Sequence, residues 1–238
     1  MWNSSRGVYL SPTVSKAEAT ALGELIGSDT NEQPLVLQCS GVRRVVEAFG
    51  AAYCHHRQPA ARFHWHEDLV LYVLETLHTP THVAGRMRMA ASDDLALLKE
   101  WAVAFFAFIG APVADAPGFI ERALPAQALF IWENAAGEPV GFAGHAPPVQ
   151  LDDNIVYRIG PVFVPESERR KGYASALTAA LSAYVMAKDV KATARVCLYA
   201  DAANPASNKA YQNVGFMLHS ETSAFDFEAV GGTSNSNP

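Results

Sequence analysis

"VFVPESERRKGYASAL", residues 162–177, is the stretch on which the reading of the chain turns. It opens apolar and extended, crosses a short charged turn, and settles into a helical pattern around a single glycine. From Gly172 onward, Tyr173, Ala176, Leu177, Ala180, Leu181, Tyr184 and Val185 recur at helical spacing, a buried stripe on a helix of about four turns. Arg169, Arg170 and Lys171 therefore stand in the loop that feeds a helix N-terminus. A helix start carries unpaired N–H groups and a partial positive charge, so it prefers acids; bases there ask for a compensating anion. Gly172 permits close backbone approach to a ligand because no Cβ intervenes, and Ala174 and Ser175 keep the next turn small. Neither GxxxxGK[ST] nor GxGxxG is present, which removes the two common nucleotide-phosphate loops. By itself the turn reads equally well as a solvated one.

"NPASNKAYQNVGF", residues 204–216, breaks that tie. Asn204 ahead of Pro205 is helix-start chemistry, an N-cap followed by proline at the first helical position. Gly215 is a natural stop. Asn204, Asn208 and Tyr211 fall at offsets of zero, four and seven, so one helix face carries two carboxamides and a phenol. Singly they read as a cap, a surface residue and a packed ring. Together, near the charged turn, they read as a site.

Working outward, the first third looks like a small α/β piece. Pro34–Cys39 is expected as a buried strand, and Val42, Val45, Val46, Phe49 and Tyr53 mark one face of a helix. "ARFHWHEDLVLYVLETL" is expected to hold two strands meeting at His66–Glu67–Asp68, and "HTPTHVAGRM" to be a linker. From Arg86 a strand leads to a helix over "SDDLALLKEWAVAFFAFIG", with Ser92 as candidate N-cap and Gly110 past its end. A hairpin turning near Ala135–Glu138 follows, then the strand "NIVYRIGPVFV", the helix after Gly172, the strand "ARVCLYA", the helix from Pro205 to about Val214, and a last strand around "SAFDFEAV". The order β-α-β-β-β-α-β-α-β belongs to the α/β class. Residues 231–238 are small and polar, and are expected as a disordered tail.

The bulk numbers set outer limits. Half of the 238 residues are hydrophobic and 18% are charged, an ordinary globular composition. The net charge of −6 speaks against a dedicated nucleic-acid binder. Cys39, Cys54 and Cys197 are odd in number and far apart, so they are expected as reduced thiols of a cytoplasmic protein. Cys197 in particular reads as a small hydrophobe within a strand. No apolar stretch approaches the ~18 residues of a membrane span, and the opening residues lack a signal peptide's apolar core. His55, His56, His64 and His66 come without matching cysteines or acids, so no metal is expected.

The two motifs together resemble the acyl-CoA signature of the GCN5-related N-acetyltransferase (GNAT) superfamily, and most closely its FR47-like subgroup. The residues that carry the likeness are Val164-Pro165, Arg169-x-x-Gly172-x-Ala174, and Asn204, Asn208, Tyr211 and Gly215-Phe216. The resemblance implies a mixed, splayed β-sheet flanked by helices over residues 86–230, with residues 1–85 as a small N-terminal α/β segment, a degenerate half of the same fold. It implies acetyl-CoA as co-substrate and a primary amine as acceptor, with no metal, nucleic acid or membrane, and leaves monomer or homodimer open. Backbone N–H groups from Arg170 through Tyr173 and Ala174 to Ser175 would hold the pyrophosphate, supported by Arg169, Arg170 and Lys171. The pantetheine arm would lie along Val162, Phe163 and Val164, faced by Asn204 and Asn208. Tyr211 would sit by the thioester sulfur and protonate the leaving thiolate. Many relatives place a glutamate on the fourth strand as base, and "NIVYRIGPVFV" holds no acid. His145, Asp152, Asp153, Asp226 and water remain open for that role. The alternative is an acyl-CoA-binding module without transfer.

Overall fold

The computed structural model describes residues 7–29, 36–188 and 193–230. The expected tail, 231–238, and the first two residues of the expected strand Pro34–Cys39 lie outside them. The fold is mixed α/β, with an open mixed sheet flanked by helices. The chain gathers into two compact units: the described residues of Met1–Val70, Asp201–Ala203 and Ser220–Pro238, and those of Leu71–Ala200 and Asn204–His219.

The first unit holds β1 (Val8–Tyr9), α1 (Lys16–Ser28), β2 (Gln38–Gly41), α2 (Arg43–His56) and parts of β3 (Ala61–Leu74) and β10 (Phe216–Ala229). β1 lies parallel to β2, and β10 antiparallel to β2 with Phe225 opposite Cys39. Its core is aromatic: Phe49, Tyr53 and Phe227 meet at ring separations of 5.5–6.1 Å. Helix α1 is absent from the expected order, although its start is written in the sequence. The Ser15 hydroxyl accepts the Glu18 N–H at 3.2 Å while the Glu18 carboxylate accepts the Ser15 N–H at 2.8 Å, a reciprocal capping box. Ala19, Gly23 and Gly27 then form the face that meets α2. A Cβ added to Gly23 would come 2.5 Å from the Phe49 carbonyl oxygen, and one on Gly27 2.7 Å from that of Tyr53. The missing side chains let the two helices approach backbone to backbone.

The polar run at His66–Glu67–Asp68 does not break β3, which is one strand of 14 residues. Polar groups of β3 meet counterparts on β10: Arg62 with Glu228 at 2.7 Å, His66 with Asp226 at 2.8 Å, and Asp68 with the Ser223 hydroxyl. Cross-strand partners make extended backbone favourable where a turn was expected. The strand expected at Pro34–Cys39 is seen as β2, which begins only at Gln38; Leu37 before it is half exposed.

The second unit adds β4 (Arg86–Met89), α3 (Leu95–Phe108), α4 (Ala116–Ala123), β5 (Leu129–Glu133), β6 (Pro139–His145), β7 (Val149–Leu151), β8 (Asn154–Phe163), α5 (Tyr173–Lys188), β9 (Thr193–Asp201) and α6 (Pro205–Val214). β4, β5, β6 and β8 are antiparallel neighbours, β9 runs parallel to β8, and β7 pairs with the start of β8. Helices α3 and α4 cover one face of the sheet through Leu98, Trp101, Ile120, Ile131, Phe142 and Phe163. Helix α5 covers the other, with Tyr184 4.9 Å from Phe130. Ser92 is not the cap of α3: Ser92–Asp94 form a 3-10 turn, and the Asp94 carboxylate accepts the Ala91 N–H at 2.8 Å while clasping Arg88. The stretch expected as a linker lies inside this unit, where His78 donates its N–H to Val214 at 2.8 Å. No described helix is long and apolar enough to cross a membrane.

Replacing Gly23 with valine should lower stability by about 1–3 kcal/mol through overpacking against rigid backbone. The check is a urea titration, in which the midpoint falls while the slope stays constant.

Candidate active site

The site starts from an interruption in strand pairing. β8 and β9 pair in parallel register from Asn154 opposite Thr193 to Ile159 opposite Leu198, and there the pairing stops. β8 nevertheless runs on to Phe163 and β9 beyond Leu198. On its other edge β8 stays bound to β6, with Ala143 opposite Val162 and Phe142 opposite Phe163. A register shift between Ala143 and His145 places one extra residue in β8 between Ile159 and Val162, a bulge of the kind that bends a strand away. Among the described residues, the β9-facing main chain of β8 beyond Ile159 has no strand partner. The two strands form a fork.

The fork opens toward the basic turn. Arg170 and Gly172 both have left-handed backbone, at φ +64° and +84°. α5 begins at Tyr173, so the N–H groups of its first turn have no acceptor within the helix. Small side chains let α6 lie close by, and the Ser175 hydroxyl donates to the Ala210 carbonyl at 3.3 Å. The three cations divide their work. Arg169 donates from Nε to the Val164 carbonyl at 3.2 Å, and its guanidinium lies 5.2 Å from the centre of the Phe108 ring. Lys171 pairs with Glu168 at 2.9 Å, which holds the ammonium's pKa above its ordinary value. Arg170 is exposed and has no ion pair among the described residues. Gly172 serves a second purpose that spacing did not show. A Cβ there would come 2.7 Å from a Val83 methyl, so the segment before β4 presses on the turn from outside the motif.

α6 is capped as expected: the Asn204 side chain accepts the Ser207 N–H at 3.1 Å, Pro205 follows, and Gly215 ends the helix at φ +101°. The Asn208 N–H donates to the Asn204 carbonyl at 3.1 Å, in helical register with it. Tyr211 is buried, its ring 6.5 Å from that of Tyr72 and 6.3 Å from that of Phe216. Burial pushes its phenol up to about 12.

The candidate bases are scattered. His145 is 8% exposed and lies on the α5 side of the sheet, 6.2 Å from Phe130 and 5.6 Å from Tyr157 between ring centres. One of its nitrogens, Nδ1, is 2.9 Å from the Ala146 carbonyl oxygen, so it carries the proton there. Asp152 and Asp153 sit exposed in the turn between β7 and β8. Asp226 belongs to the first unit, engaged with His66 and with Gln38 at 3.1 Å. His64 likewise faces a carboxylate, Glu228 at 3.7 Å, and no described group of three or more His, Cys, Asp and Glu could hold a metal. Cys197 is half-buried, and burial raises its thiol, partly opposed by the Arg158 charge. Phe108 and Val83 are the site neighbours that sequence reading missed. Neither carries a local signal, because each reaches the turn only through tertiary folding.

The model of the acetyltransferase (GNAT) family matches residues 95–216, just over half of the chain. The chain belongs to that family. Solved structures repeat the fold at low identity. A GNAT-family acetyltransferase from Colwellia psychrerythraea superposes with a TM-score of 0.60 at 16% identity, over 88% of this chain and 72% of that one. A Drosophila protein gives 0.57 at 11%, over 93% and 71%. A GCN5-related N-acetyltransferase from Sphaerobacter thermophilus gives 0.50 at 12%, over 78% and 65%. No curated protein matches the chain.

A phenol raised to about 12 stays protonated in the folded protein after the unfolded chain's tyrosine has ionised. Tyr211 should therefore make folding less favourable as pH climbs from about 10 to about 12, and have no effect near neutrality. In an alkaline absorbance titration, the difference between wild type and Tyr211→Phe should rise only above pH ~11.

Proposed function

We propose that the chain is an acyltransferase of FR47-like type, moving an acetyl group from acetyl-CoA to a primary amine by direct attack in a ternary complex. The observation that carries this reading is the fork: an unpaired strand edge that runs directly into a glycine turn and a helix N-terminus. The coenzyme fits those groups. A pantetheine arm is a chain of amides and seeks main-chain donors and acceptors, as along Val162, Phe163 and Val164. A pyrophosphate seeks N–H groups and positive charge, as between Arg170 and Ser175 beside Arg169 and Lys171. Asn204 and Asn208 would flank the arm.

When bound, the coenzyme supplies an activated thioester. The chain's own part is positioning, polarisation and proton handling. Main-chain N–H groups of the bulged β8 polarise the carbonyl oxygen, strongly because strand and bulge hold them rigid. Tyr211 keeps its proton on the phenol oxygen throughout the neutral range and donates it in a hydrogen bond to the departing sulfur. With no acid on β8 and His145 facing α5, the incoming ammonium gives its proton to water. The domain that does this is read as residues 86–230, while the compact unit that carries the fork begins at Leu71 and ends at His219. Residues 1–85 are read as an appended, degenerate half of the same fold, which the extent of the Colwellia superposition supports.

The missing strand acid favours one second reading, an acyl-CoA-binding module that does not transfer the group. Calorimetric titration with acetyl-CoA, followed by thiol release across an amine panel, separates them. Binding with turnover supports the enzyme, binding without turnover supports the module, and no binding at millimolar ligand excludes both. Gly172→Val should abolish binding, since its backbone at φ +84° and the nearby Val83 leave no room for a side chain. Tyr211→Phe should lower kcat about ten- to a thousandfold with acetyl-CoA affinity nearly unchanged, the mark of an interaction made in the transition state.

A further inference from the structure

If the thioester lies in the fork, the acceptor reaches it where a face of the sheet is left uncovered. Helix α5 covers one face, through Tyr184 on Phe130; α3 and α4 cover the other over Ile131, Phe142 and Phe163, a cluster that includes no residue of the β8–β9 ladder before the fork. Strand alternation sorts the side chains. Tyr157 and Ile159 of β8, and Val196 and Leu198 of β9, are buried on the α5 side. Arg158 and Arg195 point to the open face, both exposed. Arg158 is the last residue before the final pair of the ladder, opposite Cys197; Arg195 lies two residues back, opposite Val156. Strand spacing and rise put their Cα atoms about 8 Å apart.

Five arginines sit on strands among the described residues, and three of them have cross-strand or nearby acids. Arg62 meets Glu228 at 2.7 Å, Arg86 meets Glu133 at 3.0 Å, and Arg88 meets Glu133 at 2.6 Å. Arg158 and Arg195 have no carboxylate within 4.0 Å among the described residues, and across the β8–β9 ladder their register partners are a thiol and a valine. In a chain of net charge −6, two neighbouring cations with no carboxylate within 4.0 Å among the described residues stand out just below the fork. A guanidinium is the side chain best shaped to grip a carboxylate or phosphate through two parallel hydrogen bonds.

We propose that the acceptor is an amine carrying an anionic group, carboxylate or phosphate, gripped by Arg158 and Arg195 on the open face of the β8–β9 fork. This rests on the acetyl-transfer reading for its amine, but the anion site can be tested without it. The arginine Nε–Hε resonances of the full chain, assigned through Arg158→Gln and Arg195→Gln, are followed by NMR with and without saturating coenzyme A. The probes are β-alanine, O-phosphoethanolamine and ethanolamine. One or both anionic probes should move the two resonances, and ethanolamine should not; which anion binds more tightly identifies carboxylate or phosphate. Arg158→Gln should weaken that binding about ten- to a hundredfold, with Arg158→Lys retaining part of it, as expected for a lost charge-assisted pair. In thiol-release assays, the kcat/KM advantage of the anionic amine over ethanolamine should shrink by a similar factor in Arg158→Gln. Resonances that stay still at millimolar anion, or that ethanolamine moves equally, overturn the proposal, as does unchanged anion binding in a variant that melts like wild type. Failure of coenzyme A to bind would sink the acetyl-transfer reading alone, while the titration of the coenzyme-free protein still decides the arginines.

Discussion

Two neighbouring parallel strands that stop pairing leave N–H and C=O groups that the rest of the fold must either cover or put to use. In this protein the parting falls after Ile159 and Leu198, and it depends on a single extra residue in β8 opposite a regular β6. The bulge holds β8 to β6 while turning it off β9, so the sheet stays intact on one side and opens on the other. Buried backbone polar groups are nearly always satisfied. A fork that ends at a helix N-terminus therefore leaves main-chain donors and acceptors open to a further partner, as the proposed coenzyme arm would be.

The charged turn gains its meaning from this setting. Of the three cations, only Arg170 is free of a partner among the described residues; Arg169 braces β8 against α3, and Lys171 is balanced by Glu168. The positive character of the site thus comes as much from oriented backbone as from side chains. That division also explains why Gly172 stands where it does. Its left-handed backbone aims the turn, and its bare Cα leaves space for Val83. The segment ahead of β4 is thereby part of the site's wall, although it lies far from both motifs in sequence.

Polar pairing across strands shapes the first unit in the same way. His66, Asp68 and Arg62 would disfavour an isolated strand, yet their partners on β10 make the long β3 stable. Glycine provides the rest, because α1 and α2 meet where side chains are missing. Arg158 and Arg195 under the fork stand apart from this pattern, exposed and with no carboxylate within 4.0 Å among the described residues.

Helices α2, α5 and α6, the hairpin of β5 and β6, the strand β8 and the turn and cap that frame α5 and α6 were legible in the sequence. Each rests on local rules: apolar period, capping residues, turn chemistry and short-range spacing. Helix α1 carries an equally local signal in Ser15 and Glu18, and the short α4 lies in a proline- and alanine-rich stretch that masks its period. The continuity of β3, the bulge, the place where β8 leaves β9, the contacts of Phe108 and Val83, and the side of the sheet that His145 faces came only with tertiary structure. Pairing between strands joins residues about 40 positions apart, as Ile159 and Leu198 are, and no local pattern encodes which pair will be the last. Sequence alone determined the charged turn and the capped helix, which rest on local chemistry; the parting of two strands was decided by tertiary pairing.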